Sequence, residues 1–229
     1  MHAYLPHMLH SICGQSYTNW KLIITDDVSN EDSYIQLQEI VEKFQTLHPN
    51  KIEVIYNDQD KKWETANVLN MIDMCQDDDI ICRIDCDDWL TDLDALAIID
   101  SAYQGVGCDA LWTSHRWSFS DKNISGPMPD NADPYKYPWV SSHLKTFRKN
   151  LLNGVSDTNF RGQDGEYVRR AGDQALYLPV LHHAKKRLFL NRCLYHYTIK
   201  DEPATYQTQD ALFQRDEALF LRERGYVDK

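Results

Sequence analysis

Twice in its first ninety residues the chain runs a short apolar stretch straight into neighbouring carboxylates. "WKLIITDD" ends in Asp26 and Asp27, and "IICRIDCDDWL" passes from Ile80–Ile84 into Asp85, Asp87 and Asp88. A run of Ile, Leu and Cys without polar alternation reads as a strand covered on both faces. The segments between these strands carry the complementary pattern. Leu5, Met8, Leu9 and Ile12 recur at helical spacing, as do Ile35, Ile40, Val41, Phe44 and Leu47, with Ser29 or Asn30 as N-cap. "KIEVIYN" (Lys51–Asn57) reads as a further strand, and residues 63–75 and 92–102 as helices. Strands alternating with helices at this spacing predict an α/β fold, a mostly parallel central sheet flanked by helices.

The second half is less regular. "DALWTSHRWSF" (Asp109–Phe119) and "RLFLNRCLYHYTI" read as strands, separated by a turn-rich loop with four prolines after Gly126. Ser141 or Ser142 is expected to cap a short helix carrying His143, Phe147 and Leu151. Asp173–Ala184 reads as a helix kinked at Pro179, and residues 207–224 as a charged amphipathic helix. No repeat or low-complexity linker interrupts the chain. The expectation is one domain over 1–229, with functional halves at 1–103 and 104–229.

Composition narrows the function. With 229 residues and 42% hydrophobic content the chain can bury a real core. Asp and Glu outnumber Lys and Arg by 35 to 24, and the resulting charge of -11 disfavours a surface-wide grip on nucleic acid. No apolar run approaches the roughly 18–20 residues a membrane span needs, and "MHAYLPHMLHSICG" lacks the basic and apolar regions of a signal peptide. The six cysteines form no C-x-x-C pair, so free thiols in the cytoplasm are expected rather than a zinc site.

Ligands of open parallel sheets bind at the carboxyl ends of the strands, which is where both acidic clusters fall. Clustered carboxylates repel one another unless a cation neutralises them. Asp85 and Asp87, two residues apart after a strand, can turn toward one ion, and oxygen ligands suit Mg²⁺ or Mn²⁺ with substrate phosphates completing the shell. A solvated acidic turn is the plain alternative. The apolar strand before the acids and Trp89–Leu90 after them favour a fixed rim position.

These residues also carry a resemblance. "LHSICGQSYTNWKLIITDDVSNED" is similar to the family-two glycosyltransferase segment S-I-x-x-Q-x-Y-x-N-[WF]-E-[LI]-I-I-x-D-D-x-S, and "DIICRIDCDDWL" to that family's D-x-D strand. "SSHLKTFRKNLL" and the later "DGEYVRRAGDQALYLPVLHHA" resemble the acceptor half of one subgroup, with its H-L-[RK]-T-F and G-D-x-A motifs. The match covers roughly Leu9 to Tyr197. It implies a GT-A, Rossmann-like fold, a nucleotide-sugar donor with UDP-sugar favoured, and an inverting transfer to an acceptor hydroxyl. In these terms Asp85 and Asp87 would hold the metal and diphosphate, with His196 as third metal ligand, and Asp88 would brace the turn or cap the next helix. Asp26, with Asp27 beside it, would contact the nucleoside. Lys62 and either Lys145 or Arg148 would reach donor phosphates, with Trp63 as a stacking surface. His143 would lie by the donor or acceptor, and Asp173 would be the general base rather than an ordinary helix cap. Trp139, with Tyr135 and Tyr137, would stack on an acceptor sugar; a glycan is favoured over a modified DNA base. Family members normally open with an apolar strand and a P-[TS]-[YF]-N-like loop, whereas this chain opens at the helix that follows. Three explanations of that departure compete: a misassigned start, a truncated chain, or a sheet closed differently or with a partner chain, a homodimer included. The departure also keeps a non-catalytic nucleotide- or glycan-binding protein as the alternative, ahead of a D-x-D phosphatase.

Overall fold

The computed structural model describes residues 3–199 and 208–229. Helix α1 (Leu5–Cys13) buries the predicted face of Leu5, Met8, Leu9 and Ile12. It leads to strand β1 (Leu22–Asp27), then to α2 (Glu31–Leu47). Asn30 is the cap of α2: its side chain accepts the Ser33 N–H at 2.9 Å, and Glu31 and Asp32 complement the positive end of the helix. Strand β2 (Ile52–Asn57) lies parallel to β1 with Leu22 opposite Ile52. Helix α3 (Trp63–Asp73), strands β3 (Ile80–Arg83) and β4 (Trp89–Leu90) and helix α4 (Ala95–Val106) follow. The second half adds β5 (Ala110–Trp117), β6 (Lys145–Arg148), α5 (Gly172–His183), β7 (Arg187–Tyr197) and α6 (Gln209–Arg224). α5 runs as one helix through Pro179. The predicted start of the last helix at Gln207 lies outside the described residues.

The α/β layering is as expected, but the strand pairing is mixed rather than mostly parallel. β1 pairs with β2, and a five-stranded sheet runs β3-β6-β5-β7-β4. Within it β5–β7 is parallel, while β3–β6, β5–β6 and β4–β7 are antiparallel. Two of the three antiparallel pairings come from Lys145–Arg148. The spacing of Phe147 and Leu151 fits a helix, but the segment is a strand inserted between β3 and β5, followed by a 3-10 turn at Lys149–Leu152. Four residues are too few for periodicity to separate helix from strand. Burial decides it, because Phe147 is fully enclosed there, and Thr146 donates to the Leu111 carbonyl at 3.2 Å and meets the Tyr103 hydroxyl at 2.9 Å.

On one side of the strands Met8, Leu9, Ile99, Tyr103 and Leu111 share a core; on the other, Trp112, Phe147, Phe160, Tyr177 and Leu181 form a second. Among the described residues no strand pairs with the second edge of β1 or of β3. Those two edges instead line one cavity of about 1980 Å³, with Ile23, Thr25, Ile81 and Ile84 on its walls. β3 is therefore only half-buried, although its sequence is that of an enclosed strand.

Candidate active site

The acidic turn after β3 is held from below. The Asp88 N–H donates to the Asp85 carbonyl at 3.0 Å, and the Asp85 N–H donates to the Tyr195 hydroxyl at 3.2 Å. Asp88 is buried beneath the turn, accepting from the Tyr195 hydroxyl and the Thr198 N–H, both at 2.7 Å. It braces the turn and does not cap a helix. Burial, and then the charge of Asp85, push its carboxyl up to about 8 against the pull of those two bonds. Thr198 also donates its hydroxyl to the Asp87 carbonyl.

Ligand atoms of Asp85, Asp88 and His143 lie within 4.8 Å of one another. The His143 ring is sandwiched between Tyr195 and Tyr197, with centroids 4.7 Å away on each side. Burial, followed by the charges of Lys145 and Arg83, holds the imidazole well below its usual range, so it is neutral with a lone pair to offer. Two carboxylates and a neutral imidazole fit Mn²⁺ or Mg²⁺, and a buried acid forced toward protonation is a negative site short of positive charge. The converging set differs from the expected Asp85, Asp87 and His196. His196 stacks on Trp89 at 3.8 Å, its register partner across β4–β7, and its Nε2 lies 3.2 Å from the Ser118 hydroxyl. That packing is the ordinary role of a histidine in an aromatic strand.

Beside this group is a chain of charges. Arg83, with 11% of its side chain exposed, hydrogen-bonds Glu64 and, at 3.1 Å, Asp85. Lys145, with 3% exposed, lies 3.8 Å from Asp173. Asp173 is the second residue of α5; Ala171 holds the cap position, while Asp173 accepts the Gln174 N–H at 2.7 Å. Its carboxylate therefore stands in the first turn and lines the cavity. Burial lowers the Lys145 ammonium against the attraction of Asp173. Burial also pushes Glu64 up to about 7 against the attraction of Arg83. Sequence reasoning missed Glu64 and Arg83. An acid in a helix's first turn and an arginine inside an apolar strand were their only signals.

At the end of β1, Asp27 accepts the backbone N–H groups of Lys62 and Trp63 and the Asn57 amide, each at 2.9 Å. Burial raises its carboxyl, but bonds from Lys62, Asn67, Asn57 and Trp63 outweigh it and hold it low. Asp27 thus ties β1 to the start of α3. Asp26 is buried, accepts the Ser29 N–H at 3.2 Å and lines the cavity. Lys62 contributes its backbone here while its side chain is exposed; Lys61 lies 4.4 Å over the Trp63 ring, and both of those line the cavity. Arg148 pairs with Ile80, whereas Lys145 pairs with Arg83. The antiparallel register therefore puts Arg148 at the end of the strand pair away from the acidic turn, where its guanidinium covers Tyr103 at 5.3 Å. Lys145 holds the position at the rim. Trp139 is half-buried and lines the cavity.

Comparison with known proteins agrees with this fold. The family model described as Glycosyl transferase family 2 matches residues 2–155. No curated protein matches the chain. Among solved structures, S. aureus TarS is similar at TM-score 0.64 and 15% identity, over 86% of this chain and 34% of that one. Its 1–349 form gives 0.62 and 16%, over 85% and 56%. The mannosyltransferase PcManGT from Pyrobaculum calidifontis, in complex with GDP-Man and Mn²⁺, gives 0.66 and 12%, over 100% and 63%. The chain thus spans about a third to just under two thirds of these relatives, and the likeness is one of fold.

Proposed function

The chain belongs to glycosyl transferase family 2, and from that premise we propose that it transfers a sugar from a nucleotide-diphosphate donor to an acceptor hydroxyl with inversion at the anomeric carbon. The observation that carries the reading is that Asp85 and His143, with Asp88 buried beside them, line one cavity with the Asp173 carboxylate, and that Arg83 and Lys145 pair with Asp85 and Asp173. Mn²⁺ or Mg²⁺ held by Asp85, Asp88 and His143, with Asp87 alongside, would supply positive charge to the departing diphosphate. Asp173 takes the proton of the acceptor hydroxyl as its oxygen bonds to the anomeric carbon and the bond to the diphosphate breaks. Lys145 keeps that carboxylate turned to the cavity. Asp26 and Asp27, which line the same cavity, would border the nucleoside end, and Trp139 the acceptor end.

PcManGT, with its bound GDP-Man and Mn²⁺, supports the donor class and the metal. UDP as the nucleotide, a glycan acceptor, donor and acceptor halves dividing near residue 103, and a cytoplasmic location complete the reading. No described helix is long and apolar enough to cross a membrane. The test is calorimetric titration of UDP, with GDP as control, with and without Mn²⁺. Metal-dependent binding of either nucleotide is expected. Binding of neither would leave the non-catalytic reading in place.

A further inference from the structure

We propose that Glu64 is a positioning residue: as counter-ion to Arg83 it leaves the Asp85 carboxylate its charge for the divalent cation of the donor site. The inference rests on the metal reading above. Arg83 is enclosed, and its Nη2 hydrogen-bonds two carboxylates, with Glu64 the nearer and Asp85 at 3.1 Å. Its Nη1 is buried with no hydrogen-bond partner. A guanidinium in this setting is neutralised by whichever acid lies beside it, because a buried unpaired charge is costly. With Glu64 in place that neutralisation happens on the α3 side of the guanidinium rather than on Asp85. Without it Asp85 is the carboxylate left on that nitrogen, and the unmatched positive charge beside it repels a divalent cation bound there.

The contact is also built from the other side. A Cβ added at Gly172 would come within 2.7 Å of Glu64 Cδ and 2.9 Å of its Oε1. Gly172 therefore leaves the room that lets the first turn of α5 close on the Glu64 carboxylate. A first-turn acid serving only the α3 dipole would stay exposed at the helix end. Here the carboxylate sits between Arg83 and the residue preceding Asp173, so the metal side and the base side of the site share one spacer.

The experiment is titration with Mn²⁺ alone, read as the free-ion signal in electron paramagnetic resonance. Glu64→Gln, close in shape but uncharged, should weaken Mn²⁺ binding about tenfold, the lower end for residues that orient metal ligands. Glu64→Gln combined with Arg83→Gln should recover most of the loss, because the unmatched cation has gone. A residue that merely supports the fold would give no such rescue. Gly172→Ala keeps the charge but displaces the carboxylate, and should weaken binding in the same direction. Wild-type affinity in Glu64→Gln, or a double variant no tighter than the single, would overturn the proposal. If Glu64→Gln does not fold, wild-type affinity in Gly172→Ala overturns it instead. A wild-type protein that binds no Mn²⁺ removes the metal reading and this inference together, whereas wild-type binding with an indifferent Glu64→Gln removes this inference alone.

Discussion

Asp88 lends itself to a quantitative test. Its carboxyl is raised from 3.8 to about 8, chiefly by burial. A group raised in the folded state holds its proton more tightly there. Its favourable contribution is complete below pH 4 and is lost as the pH climbs through 8. At about 1.36 kcal/mol per pH unit, the metal-free chain loses on the order of 4 kcal/mol from this residue between pH 5 and pH 8. Asp88→Asn abolishes that titration. It also gives up one of the two bonds now accepted from Tyr195 and Thr198, a cost of about 1–3 kcal/mol at any pH. In urea unfolding with chelator present, the variant should therefore equal or trail the wild type near pH 5 and exceed it at pH 8. A difference between the two proteins that does not move with pH would refute the reasoning.

Asp173→Asn should keep metal-dependent nucleotide binding and lower transfer by roughly 10²–10⁴-fold; transfer at the wild-type rate would reduce Asp173 to a helix-terminus residue. His143→Ala and His196→Ala separate the two candidate third ligands. Mn²⁺ affinity should fall in the first and hold in the second, and the reverse result would restore the set expected from the sequence. In native-state hydrogen exchange, amides of β1 and β3 that face the cavity should exchange well ahead of those of β5, which has a strand on each side. Equal protection would show that the gap between β1 and β3 is closed in solution.

Much of the first half was legible because its signals are local. Helical spacing marked α1 and α2, Ser29 or Asn30 marked the start of α2, and two apolar runs ending in acids marked β1 and β3 and the rim they share. The second half resisted where an element was short. Lys145–Arg148 has no periodicity of its own, and reading it as a helix left the site without the strand that carries Lys145 and sets it opposite Arg83. β4, two residues long, was not foreseen for the same reason.

The sequence by itself determined the α/β layering, the acidic rim and the family, since each rests on residues adjacent in the chain or repeating at a regular interval. Tertiary structure alone decided which side chains meet there. Asp88 pairs with Tyr195 across 107 positions, and Arg83 meets Glu64 across 19. His143 joins Asp85 and Asp88 because it precedes a strand whose register follows from the burial of Phe147 between β3 and β5. The same register carries Arg148 to the far end. Along a strand each residue advances about 3.3 Å, so the pairing of distant segments determines which charge stands beside the acidic turn.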